Sequence, residues 1–214
     1  MSNLFGFVLA ALLLLLAPSQ ASPAEVEQLL DKYSFCLVCH GYQAQGNTTV
    51  LAPALAGIEP WYFAAALDSY KAGQRHTSVT AMEMQTAARM IEPSAYPEIL
   101  ALISQFAGRA QQTAINAPEM AERVQRGAEV YTLYCAACHG KDAEGSEQLA
   151  APGLRRLNSW YLVSAWQAYL TGSRGGDNAA IAAQQMRQFA LSLPADLAMD
   201  DLIAYLLENP ASGG

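Results

Sequence analysis

Apolar side chains along this chain recur at helical spacing or in one unbroken run, and strand-like alternation is absent throughout. The pattern predicts an all-α protein. Ala24 to Phe35 follows Pro23 and carries Glu25 and Glu27 in its first turn, which favours a helix start there. Pro118 to Tyr134 repeats that plan, with Val124, Ala128 and Tyr131 at i, i+4 and i+7. Trp61 to Lys71 and Trp160 to Thr171 begin behind Pro60 and Asn158-Ser159 and stop at Gly73 and Gly172. Ile99 to Phe106 and Met199 to Leu207 are apolar C-terminal helices. The stretch between Arg174 and the last helix reads as a loop, with Ala81 to Gln85 as its counterpart upstream.

The unbroken run is Leu4 to Ala17, fourteen apolar residues ended by Pro18. A bilayer needs about 20. Ser19-Gln20-Ala21 offers small residues where a signal peptidase reads, so residues 1–21 are expected to form a signal peptide cleaved after Ala21. No Lys or Arg precedes the run, which keeps an uncleaved anchor open as the alternative. The leader carries no charged side chain, so the formal charge of −7 belongs entirely to the rest of the chain. No basic patch favours nucleic acid or an anionic membrane surface.

The chain also repeats itself. Adding 99 to a residue number carries Cys36, Cys39 and His40 onto Cys135, Cys138 and His139. The same offset carries Gly46, Pro53, Leu55, Trp61, Tyr62, Tyr70, Gly73 and Arg75 onto identical residues, without a gap. A tandem duplication follows: residues 22–107 form one domain, the polar stretch 108–118 a linker, and 119–214 a second domain. Domains this small bury too little apolar surface to be secure without help, and a bound apolar cofactor would complete each core.

Two cysteines three apart with histidine directly behind form a c-type haem attachment motif. The thiols of Cys36 and Cys39, and of Cys135 and Cys138, can add to the two vinyl groups of one porphyrin each. His40 and His139 then take the proximal iron position. Two Cys-x-x-Cys pairs could build a four-thiolate zinc site, but their separation and their private histidines argue against it. A sixth iron ligand is needed in each half. Met186 is the lone methionine between Arg174 and the final helix, so it is the candidate there. Met84 is the best match in the first half, with Met82, Met90 and His76 as alternatives. Thioether sulfur opposite histidine raises the reduction potential. Pro53 and Pro152 lie thirteen residues beyond the ligating histidines, where a carbonyl could accept the imidazole Nδ1–H. Trp61, Tyr62 and Arg75, with Trp160, Tyr161 and Arg174, could donate to haem propionates.

The Cys-x-x-Cys-His-Gly motifs, Gly46 and Gly145, Ala-Pro-x-Leu at 52–55 and 151–154, Gly-x-Arg at 73–75 and 172–174, and a late methionine resemble class I cytochrome c domains. Two in tandem behind a leader resemble the dihaem cytochrome c4 family of bacterial periplasmic electron carriers. That resemblance implies two covalently bound haems c with His/Met ligation facing each other across a domain interface. It also implies redox-protein partners, a terminal oxidase among the acceptors, a periplasmic location and no small-molecule substrate. Membrane association would come only through a partner or an uncleaved leader. A dihaem enzyme, such as a thiosulfate dehydrogenase or a peroxidase-type protein, is the alternative, as is the cytochrome subunit of a larger oxidoreductase complex.

Overall fold

Ser22 starts the first helix by a reciprocal pair of bonds. Its hydroxyl accepts from the Glu25 N–H, and the Glu25 carboxylate accepts from the Ser22 N–H at 2.7 Å. In the computed structural model, residues 22–75, 78–106 and 117–208 are described. The expected leader, His76 and linker residues 108–116 lie outside the described residues. Helix α1 (Pro23–His40) runs five residues further than its apolar pattern, through the whole of the first Cys-x-x-Cys-His motif. Its buried face is Tyr33, Leu37 and His40, at helical spacing, so the helix itself points the histidine inward.

The second half repeats the design with one break. Helix α5 (Ala117–Tyr134) stops at Cys135, and a single turn, α6 (Ala136–His139), carries the rest of the motif. Helices α2 (Pro60–Lys71) and α7 (Ser159–Thr171) match the expected aromatic helices. Helices α4 (Tyr96–Ile103) and α9 (Met199–Glu208) close each half. No helix among the described residues is long and apolar enough to cross a membrane.

The two methionine stretches are helical, which corrects the loop reading. Met84 lies on α3 (Val79–Arg89) and Met186 on α8 (Ile181–Ser192). Ala, Met, Gln and Arg dominate both segments, and all are strong helix formers. The Ser78 hydroxyl adds an N-cap by accepting from the Ala81 N–H at 3.1 Å. Each helix fully buries only one residue, Ala88 or Ala190, so no apolar stripe marked it in the sequence.

The halves pack differently. The first core gathers Tyr33, Leu37, Phe63, Leu67, Ile91, Tyr96, Ile99, Leu102 and Ile103. The second is smaller, with Tyr131, Ala143, Leu202 and Leu206 fully buried. There α5 lies tightly on α9 because residue 127 is glycine: a Cβ would overlap the Asp201 carbonyl oxygen and stand 2.8 Å from the Tyr205 Cβ.

An ion-pair cluster fastens the same crossing. Asp201 in the first turn of α9 accepts from Arg126 Nε at 2.6 Å and from Arg123 Nε at 3.2 Å. The Arg126 bond, joined by Arg123 and outweighing burial, holds the Asp201 carboxyl below its ordinary value. A depressed carboxyl pKa stabilises the fold above the unfolded value, near 4, and that contribution fades as pH falls through the folded value. Asp201→Asn is therefore expected to lower stability by about 1–2 kcal/mol at neutral pH and to flatten the acid limb of the stability curve. Chemical denaturation between pH 3 and 7 checks both; equal loss at every pH would mean packing, not charge.

Candidate haem sites and the face between them

Both candidate sites are built by the loop that follows the histidine. The Gly46 N–H donates to the His40 carbonyl at 2.8 Å, Asn47 and Ala52 pair across a short turn, and the Leu55 N–H donates to the Ala44 carbonyl at 2.8 Å. This folding brings the Pro53 carbonyl to 2.6 Å from His40 Nδ1. In the second half the Gly145 N–H donates to the His139 carbonyl at 2.9 Å, and the Pro152 carbonyl stands 2.8 Å from His139 Nδ1. The backbone copies itself even where it is strained. Ala44 and Leu51 have φ of 52° and 53°, and their counterparts Ala143 and Ala150 have 56° and 50°. Left-handed conformations of non-glycine residues cost on the order of 1 kcal/mol or more each. Their repetition marks the loop as the part that both sites require.

The proline carbonyl can only accept, so it fixes the proton on Nδ1 and leaves the Nε2 lone pair for a metal. Burial lowers the pKa of both histidines, against the opposing pull of the proline carbonyls. They are held neutral, as ligands must be. Burial likewise pushes the Cys36 and Cys135 thiols up to about 11. Cys39 and Cys138 are exposed, and no disulfide joins any of the four cysteines.

The surroundings fit a porphyrin with two propionates. Helix α7 is rich in Trp, Tyr, Leu and Val, yet none of its residues is fully buried by protein. Trp160 Nε1 and Arg187 Nε are buried without a hydrogen-bond partner among the described residues. Between the halves, Arg174 Nη2 donates to the Tyr62 hydroxyl at 3.3 Å, and the Arg75 guanidinium lies 5.8 Å from the Tyr62 ring centre. Burial pushes the Tyr62 phenol up, but Arg75 and Arg174 outweigh it and bring it down to about 7. Burial raises the Tyr161 phenol, and Tyr62 adds to the effect. Two guanidinium groups focused on phenols make a positive seam suited to carboxylates. The expected donors Tyr62, Arg75, Tyr161 and Arg174 thus meet at one place.

Of the methionines, Met84 packs against the first core, whereas Met82 is 50% and Met90 80% exposed. Met186 is half-buried on α8, and Met199 packs on the second core. Sequence reasoning missed Glu59 and Asn158, the residues just before α2 and α7. Asn158 Oδ1 accepts from the Ala54 N–H at 2.7 Å, and Glu59 Oε1 accepts from the Gly153 N–H at 2.9 Å. Both pairs obey the 99-residue offset, and a search for polar residues at matched helix starts would have found them. Gly46 allows this approach: with φ +87°, a Cβ there would stand 2.5 Å from Asn158 Oδ1.

Known proteins resemble this chain in sequence and in fold. Residues 124–210 match the family model for cytochrome c. The chain is 25% identical over 131 residues to the cbb3-type cytochrome c oxidase subunit CcoP of Rhodobacter capsulatus, covering 56% of this chain and 40% of that protein. It therefore spans well under half the length of such curated relatives. The solved thiosulfate dehydrogenase (TsdBA) of Marichromatium purpuratum superposes with a TM-score of 0.62 at 27% identity, covering 84% of this chain and 37% of that one. Reduced cytochrome c4 of Pseudomonas stutzeri gives 0.63 at 20% identity, covering 85% of this chain and 96% of its own. The tandem helical layout is thus shared with a cytochrome c4 over 85% of this chain. Residues 124–210 form a cytochrome c domain, the Cys-x-x-Cys-His pairs are sites for covalent haem c, and the two-domain helical fold is that of the cytochrome c4 structures it resembles.

Proposed function

We propose that this protein is a periplasmic dihaem electron carrier, in which His40 and Met84 ligate one iron and His139 and Met186 the other. The observation that carries the reading is the duplicated histidine–proline arrangement, with a helix bearing a methionine in the same half as each copy. When bound, each haem supplies an iron that takes up and gives back one electron. The protein residues hold the ring in place, exclude water and set the potential. His40 and His139 are pinned by Pro53 and Pro152, so the imidazole has nowhere to turn during electron exchange. Core packing of Met84 against half-exposed Met82 favours the former as the ligand. With a histidine and a methionine holding each iron, no site would be left for a substrate, which suits a carrier rather than an enzyme.

Partners would be redox proteins that dock weakly and briefly. Val38, inside the first attachment motif, and Tyr42, two residues beyond it, are 73% and 86% exposed, an apolar rim available for such contact. The likeness to a subunit of a cbb3-type oxidase supports a respiratory acceptor. Likeness to a thiosulfate dehydrogenase supports the second reading, a dihaem enzyme. Carbon monoxide separates the two. Ferrous protein at neutral pH is expected to bind it negligibly at both haems and to show no thiosulfate-dependent reduction. Rapid binding at one haem together with thiosulfate turnover would make the protein an enzyme.

A further inference from the structure

Each half of the molecule holds the other half's histidine. The Pro53–Ala54 peptide accepts from His40 Nδ1–H through its carbonyl at 2.6 Å and donates from its N–H to Asn158 Oδ1 at 2.7 Å. The Pro152–Gly153 peptide does the same between His139 at 2.8 Å and Glu59 Oε1 at 2.9 Å. Two three-part chains therefore cross the interface in opposite directions. In each, imidazole, peptide and side chain are linked by hydrogen bonds, and the terminal side chain belongs to the other domain.

Glu59 and Asn158 stand at the N-cap positions of α2 and α7, yet neither side chain caps its own helix. Asparagine at that position ordinarily contributes about 1 kcal/mol by doing so. Both residues forgo the cap to reach across. The two ends differ in kind. The Asn158 amide accepts from Ala54 and also donates to the Gln45 carbonyl at 3.1 Å, a neutral clamp on two strands of one loop. The Glu59 carboxylate can only accept, and it brings a negative charge to the Gly153 N–H. An anion bonded to a peptide N–H pushes electron density onto the carbonyl oxygen of the same amide, because the peptide is conjugated. The Pro152 oxygen then pulls harder on the His139 proton. A histidine with more imidazolate character is a stronger donor to iron and favours the ferric state.

We propose that Glu59 and Asn158 are trans-domain positioning residues that separate the two haem potentials, with Glu59 lowering the second haem relative to the first through the Pro152–Gly153 peptide. The proposal rests on the reading of His40 and His139 as iron ligands. It gives the interface a task besides adhesion: loosening the contact between domains would release both histidines at once and bring the potentials together.

The test is a spectroelectrochemical titration of the full-length dihaem protein, with paramagnetic NMR following each haem and its axial ligands separately. Glu59→Gln keeps a hydrogen-bond acceptor and removes the charge. It is expected to change the ferric-to-ferrous ratio of the second haem at fixed potential by about threefold to tenfold towards ferrous, tenfold being about 59 mV for one electron. The first haem should stay put. Glu59→Asp should restore part of the wild-type value, and Asn158→Asp should lower the first haem instead. If Glu59→Gln shifts the first haem as much as the second, plain proximity of a charge explains it and the relay is wrong. No shift at either haem, with His/Met signatures intact, overturns the relay while leaving the ligand assignment standing. Wild-type spectra lacking histidine ligation overturn the assignment itself and the relay with it.

Discussion

Met186→Ala is expected to convert the second haem from a closed carrier into an open, low-potential site while leaving the first unchanged. Met186 is the methionine that α8 presents between Arg174 and α9, and it is half-buried. Removing its thioether deletes the ligand that favours ferrous iron, so the potential should fall by a sizeable part of the roughly 0.8 V range over which axial ligands act. The vacated position should then accept carbon monoxide in the ferrous protein. Packing loss should add about 2–3 kcal/mol of destabilisation. The matched experiment is Met84→Ala, which should do the same to the first haem, whereas Met82→Ala, at a half-exposed position, should do neither. Absorption and carbon monoxide titration of the three variants decide the matter. Retention of a full methionine signature in both Met84→Ala and Met82→Ala would point to a different first ligand, such as His76.

The largest structural effect is expected from Gly127→Ala. In an open helix that change would be favourable by about 1 kcal/mol, since alanine is the better helix former. Here the added Cβ would overlap the Asp201 carbonyl and stand 2.6 Å from its carbon, both of them backbone atoms of α9 that no side-chain rotation can move. The helices must part, breaking the Arg126–Asp201 bond of 2.6 Å and opening the contact between Tyr131 and Tyr205, whose ring centres are 5.2 Å apart. Overpacking of this kind costs about 1–3 kcal/mol and more when backbone must shift. The clash wins, and a net loss of about 2–3 kcal/mol is expected for the second domain in denaturant unfolding. The corresponding position in the first half is Gln28, which is exposed, so Gln28→Ala should be near neutral.

The duplication, the helix class and the attachment motifs were legible in the chain because each is written in local spacing. Cys36 and Cys39 are three apart whatever the fold does, and an offset of 99 needs no structure to be counted. The bond from His40 to Pro53 was also readable, because the loop between them is short and the same in both halves. What escaped was set by long-range packing. Helices α3 and α8 fully bury only Ala88 and Ala190, so their apolar period is faint although their composition favours helix. The continuation of α1 through Cys36 to His40, against the break at Cys135 in the second copy, has no local marker. Glu59 was not singled out, and Asn158 read only as part of a helix start. Their partners lie 94 and 104 positions away, and only the meeting of the two halves shows that each side chain serves the other domain.

The proposed function rests on two closed His/Met haems, one per half. A redox titration of the purified protein, with spectroscopy that reports axial ligands, addresses it most directly. Two one-electron haems of different potential are expected, each with a ferric thioether–iron charge-transfer band that disappears on reduction. A single haem, a bis-histidine spectrum or a permanently high-spin iron in either half would contradict it.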